Sequence, residues 1–187
     1  MRILMVHNYY RFRGGEDESC EQEIALLKER GHAVRLFARH NTSIDTGQLP
    51  ARLALALNTV WSKDTYRALK NEIDDFTPDV VHFQNTFPLI SPSAFDACRS
   101  RGIPVVQTLH NYRLICANGL LFRDGEICEL CLAHRHRFPA VRYRCYRESR
   151  SSSALVALML DLHELVGTWH RKVDRFIALT AFSKRWG

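Results

Sequence analysis

A histidine and a group of cysteines lie close together in the middle of this chain. His110 ends the apolar run Ile103-Pro104-Val105-Val106-Gln107-Thr108-Leu109, and Cys116, Cys128 and Cys131 follow it. An imidazole where a buried strand stops can hold or move a proton, and clustered thiols can hold a metal ion or enter redox exchange. With Cys145 the cysteines spell C-x11-C-x2-C-x13-C. The inner pair can present two thiolates to one tetrahedral ion, and the outer two can complete an all-thiolate zinc site. His134 and His136 are substitute ligands. Such a site is closed and structural, with no open position for catalysis. Uncoordinated thiols are the competing reading. A redox pair fits less well, because Cys128 lacks a strand-to-helix setting. Cys20 and Cys98 fall on predicted helices as core thiols.

The elements that must position these residues alternate along the chain. Residues 2–7 form a short apolar strand that stops at a polar stretch ending in Gly14-Gly15. From Glu16 the pattern turns helical, with Cys20, Ile24 and Leu27 on one face and Gly31 as the stop. Residues 32–39 alternate as a second strand, which makes a βαβ unit and so a parallel sheet. Helix 64–76, strand 80–84, helix 93–101 and strand 103–109 repeat the pattern. Leu155, Leu158, Leu162, Leu165 and Trp169 predict one long amphipathic helix facing the core, and residues 176–179 a last strand ending at Thr180. The expected fold is therefore α/β, a Rossmann-like doubly wound parallel sheet. Residues 112–150 hold no convincing strand or long helix and read as a cysteine-rich insertion.

In such sheets ligands bind outside the carboxyl ends of the strands. Those ends carry His7 to Gly15, His82 to Thr86, His110 to Arg113 and Thr180 to Ser183. A glycine pair before a helix suits an anion, because free N–H groups and the positive dipole end point at it. A tight turn explains the same glycines equally well.

The chain has 187 residues, 46% hydrophobic and 25% charged, with a formal charge of +6. One globular domain with a real core fits that length. No apolar run spans a bilayer, and His7 and Asn8 interrupt any signal-peptide core, so a cytoplasmic placement is expected. The positive charge favours acidic partners such as nucleotide phosphates, anionic lipid or nucleic acid.

The order of pieces resembles the N-terminal half of a GT-B fold glycosyltransferase of family 4 (group 1). The residues that carry it are Arg2-Ile-Leu-Met-Val, Gly14-Gly15-Glu16, Pro78-Asp-Val-Val-His82, Pro104-Val-Val-Gln-Thr-Leu-His110 and Val173-Asp-Arg-Phe-Ile-Ala-Leu-Thr180. The resemblance covers nearly the whole chain. It implies transfer of a sugar from a nucleotide-sugar to a glycan or lipid-linked acceptor, with retention and without a catalytic metal. It implies that Gly14 and Gly15 approach the donor diphosphate, with Thr180 on the same side, and that His110 lies beside the transferred sugar. Where the family often has aspartate after that histidine, this chain has Asn111. His82, Asn85, Asn111 and Tyr112 are the acceptor candidates. The resemblance also implies a second domain carrying the basic pair and the E-x7-E motif that grip the nucleotide. Neither is present here, so this chain alone is expected to bind donor poorly.

Six arginines, Arg135, Arg137, Arg142, Arg144, Arg147 and Arg150, follow the C-x2-C with Phe138, Tyr143 and Tyr146 among them. A solvated face is the plain reading. The sharper one is a patch for anionic membrane lipid or a diphosphate-linked acceptor, at the inner membrane face. The alternative function is a zinc-containing basic module that binds nucleic acid. It accounts for residues 116–150 and leaves the strand-end histidines without a purpose.

Overall fold

The computed structural model describes residues 1–43, 49–134 and 136–185. Five parallel strands form the sheet, in spatial order β2-β1-β3-β4-β7. They are β1 (Arg2–Tyr9), β2 (Ala33–His40), β3 (Val80–Phe83), β4 (Val105–Leu109) and β7 (Arg175–Ala178). The strand order turns back between β1 and β3, which are paired in parallel from Ile3 opposite Val80 to Val6 opposite Phe83. A crevice opens at such a point, because the connections leave β1 and β3 in opposite directions.

β1 is buried along six successive residues, and its side chains alternate between two cores. Ile3 and Met5 pack with Cys20 under α1 (Gly15–Glu29). Leu4 and Val6 face a larger core. That core draws on α3 (Lys63–Phe76), α4 (Ser93–Arg99), α7 (Arg150–Leu165) and α8 (Thr168–Lys172). The near-continuous apolar run of β1 is what burial on both faces requires.

Local chemistry sets the helix ends. Three acidic residues crowd the first turn of α1, the end the helix dipole favours for them. Ser62 accepts from the Thr65 amide at 3.1 Å to start α3, and Thr77, in the left-handed region, ends it before Pro78. Gly31 and Gly102 follow α1 and α4 with φ of +80° and +64°, which only glycine adopts without strain. A further helix, α2 (Leu49–Val60), precedes α3.

Two expectations change. The long late helix is two helices, broken at Gly167 with φ +69°. Its leucine stripe does not face the core: Leu158 and Leu165 are 59% and 83% exposed, while Val156, Met159, Leu160 and His163 are buried. Between β4 and α7 lie a hairpin of two-residue strands, β5 (Phe122–Arg123) and β6 (Glu126–Ile127), and two five-residue helices, α5 (Leu130–His134) and α6 (Phe138–Arg142). None of these joins the main sheet.

Candidate active site

The carboxyl ends of β1, β3 and β4 meet the first three turns of α1. His7, at the end of β1, is wholly buried. Its Nδ1 accepts from the Asn85 amide at 3.4 Å, so Nε2 carries the proton and donates to Asp17 Oδ1 at 2.7 Å. The other oxygen, Asp17 Oδ2, accepts from the Gly14 amide at 3.1 Å. One carboxylate thus fixes the glycine turn to the strand that precedes it.

Glu16, one residue earlier, accepts from Asn111 Nδ2 at 2.7 Å and from the Tyr10 hydroxyl at 2.9 Å. That joins the turn to the residue directly after His110. Burial and the Glu16 charge push the Tyr10 hydroxyl well above its ordinary pKa. Tyr10 therefore stays protonated and remains a donor.

His110 closes a chain of bonds. His82 Nδ1 lies 3.2 Å from Glu23 Oε1, and its Nε2 lies 2.8 Å from the Thr108 hydroxyl. Gln84 Nε2 donates to Glu23 Oε2 at 2.6 Å. A carboxylate can only accept, so the Gln84 amide must turn its nitrogen to Glu23 and its oxygen to His110. His110 Nε2, 2.5 Å from that oxygen, carries the proton, and Nδ1 is left as the acceptor. Burial acts to raise the Glu23 carboxyl, but the His82 and Gln84 hydrogen bonds and the His82 and His110 charges outweigh it and lower it. Burial lowers His110 despite the opposing pull of Glu16. His110 is accordingly a neutral imidazole of fixed tautomer at neutral pH.

The glycines occupy the front of this arrangement. Gly14 is extended, with φ −129°, and a Cβ there would meet Tyr10 at 4.0 Å. A Cβ on Gly15 would meet nothing within 4 Å. Neither strain nor packing inside this chain demands glycine at 15, and the N-cap residue, Gly14, brings no side chain to cap the helix. At this end of α1 the Gly14 amide is taken by Asp17 and the Asp17 amide by the Gly14 carbonyl at 3.0 Å, so the Gly15 and Glu16 amides, which precede the first helical acceptor, are the ones left to face outward.

Beside the turn is an open cleft of about 480 Å³, lined by Tyr10, Arg11, Phe87, Arg113, Tyr146 and Arg147 among others. The Arg113 guanidinium sits 4.8 Å from the centre of the Phe87 ring and 5.5 Å from that of Tyr146, and it donates to the Ala117 carbonyl. It has no carboxylate partner among the described residues. Burial lowers its pKa, although the side chain is only partly covered and still lines the cleft.

The expected site residues fall into groups. His110 and Asn111 meet α1 as described, and Gly14 and Gly15 start it. His82 and Asn85, expected at the acceptor, are buried and turned inward. Asn85 donates to the Asn8 carbonyl at 2.7 Å and accepts from the Phe87 amide at 3.1 Å. Both position the crevice wall. Tyr112 packs edge-on to Phe182 at 5.5 Å, which holds the β7 loop against the β4 loop, and Thr180 bonds Ser183 at 2.9 Å within the β7 loop itself. Asp17, Glu23, Gln84 and Arg113 were not singled out from the sequence. The recurrence of Glu16 and Glu23 seven residues apart, on one face of α1, was the available signal.

Cys116, Cys128, Cys131 and Cys145 line one small cavity. Burial pushes the Cys131 thiol up to about 11 and raises Cys145. Raised, protonated thiols are poor nucleophiles, which counts against a redox pair. His134 and His136 stack on each other, 5.6 Å between ring centres, and do not line the cavity. Cys20 and Cys98 are core thiols, as expected. Arg137 leaves the arginine patch: it is buried, bound to Asp161 at 3.0 Å and to the Leu114 carbonyl at 3.1 Å. Arg135 lies outside the described residues.

No helix among the described residues is long and apolar enough to cross a membrane. No curated protein matches the chain. The nucleic-acid module proposed for the arginine-rich segment gains no support from the comparisons. The model of Glycosyltransferase Family 4 matches residues 14–186, nearly the whole of a Rossmann-like domain with its crevice at the β1–β3 switch, and the chain belongs to that family as a GT-B glycosyltransferase domain.

Proposed function

We propose that this domain is the acceptor-side half of an enzyme that moves a sugar from a nucleotide-sugar to an anionic or lipid-linked glycan, with retention. The observation that carries the reading is the open space before Gly15, at a helix N-terminus tied by Glu16 to the residue after His110. A residue kept small where nothing in its own chain crowds it suits a group that arrives from outside. The outward Gly15 and Glu16 amides and the dipole make that group an anion, the donor diphosphate. His110, neutral and with Nδ1 unengaged, then contacts a hydroxyl of the transferred sugar.

In the transfer the bond from the anomeric carbon to the diphosphate oxygen breaks, and the diphosphate keeps the electron pair. The acceptor hydroxyl forms its bond on the same face, and its proton passes to the departing diphosphate. The contribution of this domain is charge stabilisation by the α1 amides. The gripping of the nucleotide falls to a second domain. The cleft bearing Arg11, Arg113 and Arg147 with aromatic faces suits an acceptor that carries phosphate or carboxylate. The protein works at the cytoplasmic face of a membrane, with Arg142, Arg144, Arg147 and Arg150 toward anionic lipid.

Release of nucleotide from a panel of nucleotide-sugars by the full-length protein tests this. His110→Ala is expected to lower kcat by about 100-fold or more, in the range for loss of a polar contact at developing charge. Unaltered turnover would remove His110 from the site. Gly15→Ala, at the first residue of α1 rather than in its interior, is expected to keep stability within about 0.5 kcal/mol. The same change should raise the KM for donor. An unchanged donor KM would mean that nothing approaches Gly15.

A further inference from the structure

The segment between β4 and α7 has little to hold it in shape. β5 and β6 have two residues each, α5 buries none of its residues, and Leu120, Phe122 and Ile127 are exposed. Elements this short are marginal in water without another source of order. Yet the segment matters to the cleft, because Arg113, Tyr146 and Arg147 at its two ends line it.

At the centre of the segment the C-x2-C pair and two cysteines remote from it in sequence line one cavity. Cys116 comes from the turn after β4, Cys128 follows β6, Cys131 is on α5 and Cys145 follows α6. The cavity is about 10 Å³, room for roughly one water-sized sphere. Its lining includes no histidine, aspartate or glutamate. All six cysteines are free thiols. A chance distribution would not bring every cysteine of the segment to the same void and leave both histidines, His134 and His136, outside it.

We infer that Cys116, Cys128, Cys131 and Cys145 bind one zinc ion, which knits the β4–α7 segment together and thereby shapes one wall of the cleft. Among the described residues no three ligand side chains are already gathered closely enough to hold a metal. Binding therefore entails an inward turn of the thiols, and Cys116 Sγ must leave Asn118 Oδ1, now 2.9 Å away. Four S–H bonds lose their protons to solvent, and four Zn–S bonds form, with no change of oxidation state. The resulting site carries a net charge of −2. Arg123, which also lines the cavity, lies 3.9 Å from the Tyr143 ring centre and offsets that charge in part. Full thiolate coordination leaves no open position, so the ion is structural.

The test is metal analysis of the full-length protein purified with zinc and dialysed against a weak chelator. About one zinc per chain is expected to remain. Cobalt in its place should give thiolate-to-metal charge-transfer bands and the visible spectrum of a tetrahedral site. The double variant Cys128→Ser/Cys131→Ser should lose about tenfold or more of the bound metal, whereas Cys20→Ser should keep it. Stripping the metal from the unaltered protein should expose the segment to protease while leaving the main sheet protected, a readout that needs no variant to fold. Metal-free protein with an intact segment would overturn the inference. So would full metal content in the double variant, or a mass deficit showing the four thiols paired as disulfides.

Discussion

His110 and His163 show how burial sets the charge of a side chain. Both are lowered from 6.5, chiefly by burial. His163 lies under α8, with Nδ1 2.8 Å from the Thr168 hydroxyl and Nε2 2.9 Å from the Val60 carbonyl, partners that suit a neutral ring. A histidine with a folded pKa below its unfolded one binds fewer protons in the folded state. Its contribution to stability is complete above about pH 6.5 and is lost as the pH falls toward the lowered folded value. The unfolding midpoint of the chain should therefore be level between about pH 6.5 and pH 8 and decline below that window. In His110→Asn the decline should be shallower, with the His163 share left. Glu23, lowered by His82 and Gln84, adds a second loss below its ordinary 4.5. Urea denaturation at a series of pH values measures this. An identical slope in the two proteins would show that His110 does not titrate as its burial requires.

The elements were legible in the sequence to very different degrees. Buried parallel strands are apolar on both faces, so residues 2–7, 80–84 and 103–109 could be read as strands with little competition from helix. The crevice followed from their carboxyl ends. The bonds within it did not, because Glu23 meets His82, and Gln84 meets His110, only through the register of β1, β3 and β4. Nor did the buried face of α7. Leu155, Leu158, Leu162 and Leu165 recur at helical spacing, but so do Val156, Met159, Leu160 and His163. A helix apolar on two adjoining stripes does not say which one faces inward. Truncation distinguishes them. Leu160→Ala should cost about 2–5 kcal/mol, as for a fully buried leucine. Leu165→Ala, on the exposed stripe, should stay within about 0.5 kcal/mol of the unaltered chain. Equal costs at the two positions, measured by denaturant titration, would contradict the packing.

At the scale of the molecule, a formal charge of +6 attracts any anionic surface, so a membrane patch must be distinguished from net charge. With Arg137 engaged by Asp161, the described arginines of the cluster available to lipid are Arg142, Arg144, Arg147 and Arg150, all exposed. Each basic side chain near an anionic bilayer is worth about 1 kcal/mol, and the attraction fades within a Debye length, so a local cluster binds far better than the same charge spread out. The full-length protein should therefore bind phosphatidylserine-containing vesicles at low salt and leave them as salt rises. Arg142→Glu/Arg144→Glu and Lys28→Glu/Arg67→Glu change net charge equally, and all four positions are exposed. The first pair removes charge from the segment beside the cleft; the second removes it from α1 and α3. Only the first should lose most of the vesicle binding. Equal losses would reduce the arginines to their share of the net charge. Undiminished binding to neutral vesicles would mean that an apolar surface such as the exposed stripe of α7, and not the arginine cluster, meets the lipid.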